Sequence, residues 1–506
     1  MKSRFYSREV KVGDLTLGGK HPVLIQSMTN TSTSDVQSTV NQIHRLVNHG
    51  CDIVRVAVPT LTDAKSIKQI NIELQNIGLH LPIVADVHYS TKVAELAARY
   101  ADKVRINPGN YISDRTKEHY SQEDFEIAHC QIAENIQPLL AICKKHQTAL
   151  RIGVNRGSLS KRILYRYGNT AKGMVASALE FIDILIESGF DQFTLSLKAS
   201  DVRIMQEANV MLVKEMIRRD TFFPLHLGVT EAGAGNDARI KSSAGIGALL
   251  GLGIGDTIRV SLTEEPEEEI PVAKLLLPFA SRKGVVFEDL KHLHFHPEKI
   301  DDEVTMLTQQ SKPLVVGNSN NEADLIMSDN GLIASETGLT VSSKKLRISK
   351  IESNEKNFID FLVNSSVKFA CDFLKKSVQA IYLMNPSFSS STLTELSLDI
   401  LQGMGLRYTK IEFVACPSCG RTLFNIAEHL KRVQQLTSQY KNLKIAVMGC
   451  VINGPGEMAG ADYGYVGSSK GKVTLYKAGK IVKRDISEET AASQLQEIIE
   501  NDLIKK

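Results

Sequence analysis

The sequence predicts an α/β protein made of a TIM-type (β/α)8 barrel, an inserted domain and a smaller C-terminal α/β unit. Three observations predict it. Between residues 23 and 263 a short apolar, β-branched run is followed eight times by a polar turn and a stretch of helical period. That rhythm stops at residue 264. After a long segment without it, helix and strand alternate again from about residue 393 to the end.

The eight runs, in order, are "VLIQSMT" (23–29), "DIVRVAV" (52–58), "PIVADVH" (82–88), "KVRINPG" (103–109), "ALRIGVN" (149–155), "QFTLSLK" (192–198), "PLHLGVT" (224–230) and "TIRVSLT" (257–263). Amphipathic stretches such as "DVQSTVNQIHRLVNHG", "KVAELAARYA" and "MVASALEFIDILIESGF" separate them, several ending near a glycine suited to a helix C-cap. Eight such units match the length of a barrel, which takes about 250 residues. An open, doubly wound sheet competes, but its glycine fingerprint is missing after the first run. "EPEEEIPVAKLLLPFA" reads as the eighth helix. Residues 282–392 mix Lys/Asn/Ser-rich turns with strand-like runs ("KPLVVG", "AIYLMN") and show no further β/α repeat, which marks an insert. "NPSFSSSTLTELS" (385–397) reads as the linker out of it, and "ELSLDILQGMGLR" as the helix opening the last unit. The expected domains are 1–281, 282–392 and 393–506.

Composition narrows the setting. At 506 residues the chain exceeds one compact unit, and its formal charge of +3 creates no field that favours nucleic acid. Seven cysteines are odd in number and sparse, unlike a secreted disulfide framework, so a reducing cytoplasm is expected. The start, "MKSRFYSREVKVGDL", has no apolar h-region, and no run approaches a membrane span. A soluble, unprocessed protein with neither membrane nor nucleic-acid partner is the expectation.

Parallel barrel strands are covered on both faces and should be almost wholly apolar. These are not. Toward their C-terminal ends, where barrel active sites are built, lie Arg55, Asp86 with His88, Arg105 with Asn107, Arg151 with Asn155, Ser196 with Lys198, Thr230 followed by Glu231, and Arg259 with Ser261. Alternation along a strand puts each same-parity pair on one face, so most of these groups can point into one mouth. Four arginines and a lysine cannot be buried together without counter-charge, since each unpaired ion costs several kcal/mol. Asp86 and Glu231 are too few to neutralise them, and guanidinium forks suit phosphate oxygens, so a diphosphate-bearing substrate is expected. The plainer alternative is that a given strand arginine faces the helices in an ordinary salt bridge, and that His88 is a satisfied core histidine.

Cys416 and Cys419 form a Cys-x-x-Cys pair in a turn, and Cys450 ends a strand-like run before the tight "NGPGE". Three thiolates leave a fourth ligand open, and the pattern fits zinc or an iron–sulfur cluster equally. Cys51, Cys130 and Cys143 read as small apolar residues.

"ACPSCGR" followed by "MGCVINGPGE", with strand ends "IQSMTNT", "ADVH", "VRINPG", "RIGVN", "LSLK", "LGVTEAG" and "IRVSLT", resembles the 4-hydroxy-3-methylbut-2-enyl diphosphate synthase family of the methylerythritol phosphate route to isoprenoids. The resemblance covers residues 8 to about 280 and 395 to 490, and the insert resembles the longer form of that family, though it is shorter here. It implies reductive dehydration and ring opening of 2-C-methyl-D-erythritol 2,4-cyclodiphosphate. It also implies a C-terminal unit of sulfite/nitrite reductase-like type that holds a [4Fe–4S] cluster on Cys416, Cys419, Cys450 and Glu457. Arg55, Arg105, Arg151, Lys198, Arg259 and Ser261, with Asn107 and Asn155 alongside, match the positions that bind the diphosphate. Asp86, His88 and Glu231 match those near the reacting carbons, and Glu457 belongs with them. Reduced flavodoxin or ferredoxin as donor, and a homodimer, are implied partners. Two rivals stand beside this reading: a pterin-type barrel transferase with a structural zinc knob, and a non-enzymatic iron–sulfur sensor.

Overall fold

The computed structural model describes residues 4–111, 117–281, 284–318, 323–328, 331–337, 339–451, 454–458 and 460–504, without the side chain of residue 455. All eight expected barrel strands form: β1 (Leu24–Met28), β2 (Ile53–Ala57), β3 (Ile83–Asp86), β4 (Lys103–Ile106), β5 (Ala149–Asn155), β6 (Phe193–Lys198), β7 (His226–Leu227) and β8 (Thr257–Ile258). They lie parallel in the order β7-β8-β1-β2-β3-β4-β5-β6, and a parallel bridge from Leu195 to Leu225 brings the two edges together. Register pairs Met28 with Arg55, Ala57 with Asp86, Asp86 with Arg105, Arg105 with Arg151, and Asn155 with Lys198. One ring of strand ends therefore carries the charged residues. At the opposite end the hairpin Val10–Val12/Leu15–Leu17 packs Val10, Val12 and Leu17 with Ile53, Val84 and Ala149 and plugs the barrel floor.

Local chemistry explains the connecting helices. Val36–His49 starts at Asp35, whose carboxylate accepts from the Ser38 N–H, and stops at Gly50, which takes the left-handed conformation (φ 95°). Leu61–Asn76 and Gln122–His146 each open on a reciprocal capping box, Thr60 with Asp63 and Ser121 with Asp124. The expected eighth helix is Glu269–Leu276, flanked by single 3-10 turns.

The insert corrects one expectation. It builds a six-stranded sheet from β9 (Leu314–Gly317), β10 (Leu325–Ser328), β11 (Gly331–Ala334), β12 (Thr340–Val341), β13 (Ile348–Glu352) and β14 (Ala380–Met384), ordered β12-β11-β10-β9-β14-β13. β13 and β14 are parallel and joined by the helix Phe358–Lys376, so a β/α/β unit does occur within 282–392. That helix turns Phe361, Val367, Phe369 and Phe373 into the same apolar core as the barrel helices, and Gly247 has no side chain where Val367 packs, since a Cβ there would sit 2.4 Å from a Val367 methyl. The stretch read as a linker is mostly the start of a helix, Ser390–Gly403, capped by the Ser389 hydroxyl. Its serines look like a turn in isolation, but Leu393, Leu396, Ile400 and Leu401 supply a buried stripe.

The C-terminal unit is a five-stranded sheet: β15 (Glu412–Ala415), β16 (Lys444–Met448) and β17 (Tyr463–Ser469) are parallel, and β18 (Lys472–Lys477) and β19 (Lys480–Ser487) follow as antiparallel hairpins. It sits on the barrel of its own chain. Ala415 bridges Ala232, the Lys241 ammonium donates to Glu412 at 2.9 Å, and the backbones of Gly157 and Gly456 approach so closely that a Cβ on Gly456 would lie 1.8 Å from the Gly157 carbonyl oxygen. Among the described residues no helix is long and apolar enough to cross a membrane.

Candidate active site at the barrel mouth

A narrow cleft with about 80 Å³ of free space opens where the two units meet. The barrel lines it with Met28, Arg55, Asp86, His88, Arg105, Arg151, Asn155, Ser196, Lys198, Thr230, Glu231, Arg259 and Ser261, and the C-terminal unit adds Pro417, Cys419 and Arg421. The strand-end residues therefore converge as their parity requires. Asn107 is the one that does not line the cleft: its amide donates to the Ser158 hydroxyl at 2.9 Å and its oxygen accepts from the Gly109 N–H, so it caps the turn after β4.

The cations differ in their partners. Arg259 forks onto Glu269 from the eighth helix, Nη2 to Oε1 at 2.8 Å and Nε to Oε2 at 3.0 Å, with both side chains 3% exposed. This is the ordinary strand-to-helix salt bridge, and the sequence reading of two available acids missed Glu269. Arg105 donates to His88 Nε2 at 2.6 Å, to Asp86 Oδ1 at 3.3 Å and to the Gly153 carbonyl at 2.8 Å. Gly153 is a glycine for space: a Cβ there would sit 2.3 Å from Arg105 Nε. Arg55 donates Nε–H to the Met28 sulfur at 3.0 Å. Arg151 is 1% exposed, and its Nε and Nη1 have no partner among the described residues. Beneath this layer Lys103 is fully buried with its ammonium nitrogen equally unpartnered among them, and burial lowers its pKa to about 7.

These surroundings set protonation. Burial and then the Arg105 charge push His88 down to about 3, so it is a neutral acceptor of the Arg105 N–H. Burial alone would raise Asp86, but Arg55, Arg421 and Arg105 hold its carboxyl well below the usual carboxylate range. Arg151 and Lys198 are both lowered, first by burial and then by one another's neighbouring cations. The mouth is thus short of negative charge, the condition for gripping an anion.

Glu231 takes a left-handed backbone (φ 50°), rare for a side-chain-bearing residue, and sends its carboxyl to the carboxyl of Glu457 from the one-turn helix Gly454–Glu457. Burial raises both, and for Glu457 the Glu231 charge adds to it.

Cys416 and Cys419 follow β15, and Cys450 follows β16, so two adjacent parallel strands bring the three half-buried thiols to one end of the sheet. Cys416 Sγ accepts from the Gly449 N–H at 3.2 Å, and its pKa is pushed well up by burial and then by Cys419 and Cys450. Glu457 Oε1 has no partner among the described residues. Three thiols and a carboxylate with unmet charge demand suit an iron–sulfur centre. Among the described residues no three such groups close tightly enough to hold a single metal ion. Cys51 and Cys143 are buried elsewhere, as apolar fillers would be, whereas Cys130 is exposed on its helix.

Arg421 was not singled out by sequence. It lies two residues beyond Cys419, and its two terminal nitrogens, Nη1 and Nη2, reach Asp86. The pattern "CGR" was its one signal.

The GcpE TIM-barrel domain family matches residues 7–274, and the GcpE protein C-terminal domain family matches residues 412–501. A Bacteroides fragilis protein named 4-hydroxy-3-methylbut-2-en-1-yl diphosphate synthase (flavodoxin) is 36% identical over 98% of this chain and 96% of its own length. Relatives of the same name from Porphyromonas gingivalis and Akkermansia muciniphila are also 36% identical, over 97% and 98% of this chain and 96% of each relative.

Proposed function

The chain belongs to the GcpE family, and from that premise we propose how its residues carry out the family's reaction. It is an oxidoreductase that reductively opens and dehydrates 2-C-methyl-D-erythritol 2,4-cyclodiphosphate to (E)-4-hydroxy-3-methylbut-2-enyl diphosphate, in isoprenoid precursor synthesis. It is an iron–sulfur enzyme. We take the centre to be a [4Fe–4S] cluster held by Cys416, Cys419, Cys450 and Glu457, which when bound supplies two electrons, one at a time, and a Lewis-acidic iron. We take the donor to be reduced flavodoxin, in keeping with the relatives' names, in place of ferredoxin.

The observation that supports these roles best is the shared cleft: Cys419 and Arg421 face the same space as Arg55, Arg105, Arg151 and Lys198. Among the described residues Arg151 and Lys198 form no ion pair and each is lowered by neighbouring cations, so a diphosphate there replaces repulsion among cations with bidentate pairing. Arg259 is held rigid by Glu269 and presents its remaining edge beside Ser261. Gripping both phosphates fixes the carbon skeleton and stabilises the phosphate oxygen as it leaves the ring. Glu231, whose pKa burial raises, is the acid placed to protonate a departing hydroxyl, while His88 stays neutral and Asp86 ionised as polar neighbours of the reacting carbons. Closure of the C-terminal unit keeps water out of the cleft.

Because the second unit sits on its own barrel, a homodimer would keep each site within one chain. Sedimentation of the loaded protein measures that assembly. A cytoplasmic location follows the reducing conditions such thiols need. The function is tested by anaerobic purification with iron and sulfide analysis, an absorption spectrum, and turnover of the cyclic diphosphate with reduced flavodoxin. A colourless protein with stoichiometric zinc would favour the pterin-type transferase, and a coloured protein without turnover the sensor.

A further inference from the structure

We propose that Arg421 is a positioning residue that registers the Cys419 loop on the barrel by reading the end of β3, and that it acts together with Gly420. The inference rests on the functional reading above and adds a residue to it.

The contact is built as a two-point measurement. Arg421 Nη2 donates to the Asp86 main-chain carbonyl at 2.8 Å and to Oδ2 at 3.1 Å, and Nη1 donates to Oδ2 at 3.2 Å. One guanidinium thus fixes both where the β3 backbone ends and how its last side chain points. The planar fork adds a second nitrogen, Nη1, on Oδ2 in fixed geometry, which a single ammonium lacks. The Arg421 side chain is only 6% exposed and that of Asp86 2%, so the pair is shielded from solvent and the fork is held firmly. Asp86 is itself held from the barrel side by Arg105 at 3.3 Å, which gives Arg421 a rigid target.

A second observation points the same way. Gly420 lies against the turn after β1, and a Cβ there would sit 2.5 Å from the Thr31 carbonyl oxygen. Its backbone is not in the left-handed region, so the glycine is required for closeness and not for conformation. Cys419, Gly420 and Arg421 therefore press onto two barrel strand ends at once, and the Cys419 thiol is carried to the cleft as a consequence. The family reaction needs the cysteine-bound centre near the substrate's carbon, and a misplacement of about 1 Å costs on the order of 100-fold in rate.

Arg421→Met and Gly420→Ala, each loaded with iron and sulfide beside the wild type, test this. Wild-type turnover of the cyclic diphosphate is the control: if it is absent, the functional reading fails and not this one. With wild-type turnover present, the expected result for Arg421→Met is unchanged iron content and substrate-free paramagnetic spectrum, a kcat lowered about 100-fold with KM within about threefold, and loss of the spectral change that substrate causes in the wild type. Gly420→Ala should lower kcat in the same way with Arg421 intact. A kcat within twofold of wild type overturns the proposal, and so does a KM rise at unchanged kcat, which would make Arg421 a phosphate contact. Should Arg421→Met fail to load, Arg421→Lys decides: a loaded protein about tenfold slower supports two-point reading, and wild-type kcat overturns it.

Discussion

Glu231 of the barrel and Glu457 of the C-terminal unit meet carboxyl to carboxyl, 4% and 6% exposed, across the boundary between the two units. Burial raises both carboxyls, and the Glu231 charge adds to the rise at Glu457. In the protein without its metal centre this links the seating of the C-terminal unit to pH.

Seating of the metal-free protein should therefore depend on pH. Both carboxyls have raised pKa values when buried, chiefly through desolvation. A raised carboxyl pKa stabilises the seated form fully below the ordinary value near 4.5 and loses that contribution as pH rises through the seated-state pKa. Hydrogen exchange of residues 454–458 should quicken with pH more than intrinsic exchange does, and Glu457→Gln should flatten the trend.

Glu457→Ala should still assemble part of its cluster on three cysteines, with an altered paramagnetic spectrum and little turnover, because a hard carboxylate holds a soft iron loosely enough to admit a substrate oxygen. Iron analysis and resonance spectra check it. Full activity with an unchanged spectrum would move the fourth ligand elsewhere.

Arg151 should trade stability for function. Its guanidinium is buried with Nε and Nη1 unpartnered among the described residues, so Arg151→Met should raise the stability of the substrate-free protein by about 1 kcal/mol or more. The same change should weaken substrate binding about 10- to 100-fold, the worth of charged hydrogen bonds to phosphate. Thermal melts with and without the cyclic diphosphate, and kcat/KM, measure the two halves.

The insert should not melt by itself. Phe369 and Phe373 of its helix belong to the apolar core of the barrel, so Phe369→Ala should cost about 3–5 kcal/mol and lower one common unfolding transition. A separate low-temperature transition of the insert would contradict this. Changes at exposed polar residues of 300–380 should leave chemistry intact, since no described residue of that range lines the cleft.

The barrel was legible because strands covered on both faces write themselves as apolar runs, and any charge within them stands out: Arg55, Arg105, Arg151 and Lys198 were visible for that reason. Glu269 was not, because one acid in "EPEEEI" looks like its solvated neighbours until the strand arginine it faces is known. Asn107 read as part of the site by strand parity, but its amide is taken by the turn. Helix Phe358–Lys376 escaped because the barrel rhythm had already stopped, and a lone β/α/β unit has no repeat to announce it. Arg421 escaped because a residue in a turn has no periodicity, and its target lies 335 positions away in sequence.

The meeting of Gly157 with Gly456, where a Cβ on the latter would sit 1.8 Å from a carbonyl, leaves no gap between the two units at that point. For an iron–sulfur protein such a seam also limits the entry of dioxygen. Air tolerance then becomes a property of the joint as much as of the ligands. Gly157→Ala would lever the seam open by the width of a methyl group, and the protein's colour should bleach faster in air although every cysteine is in place.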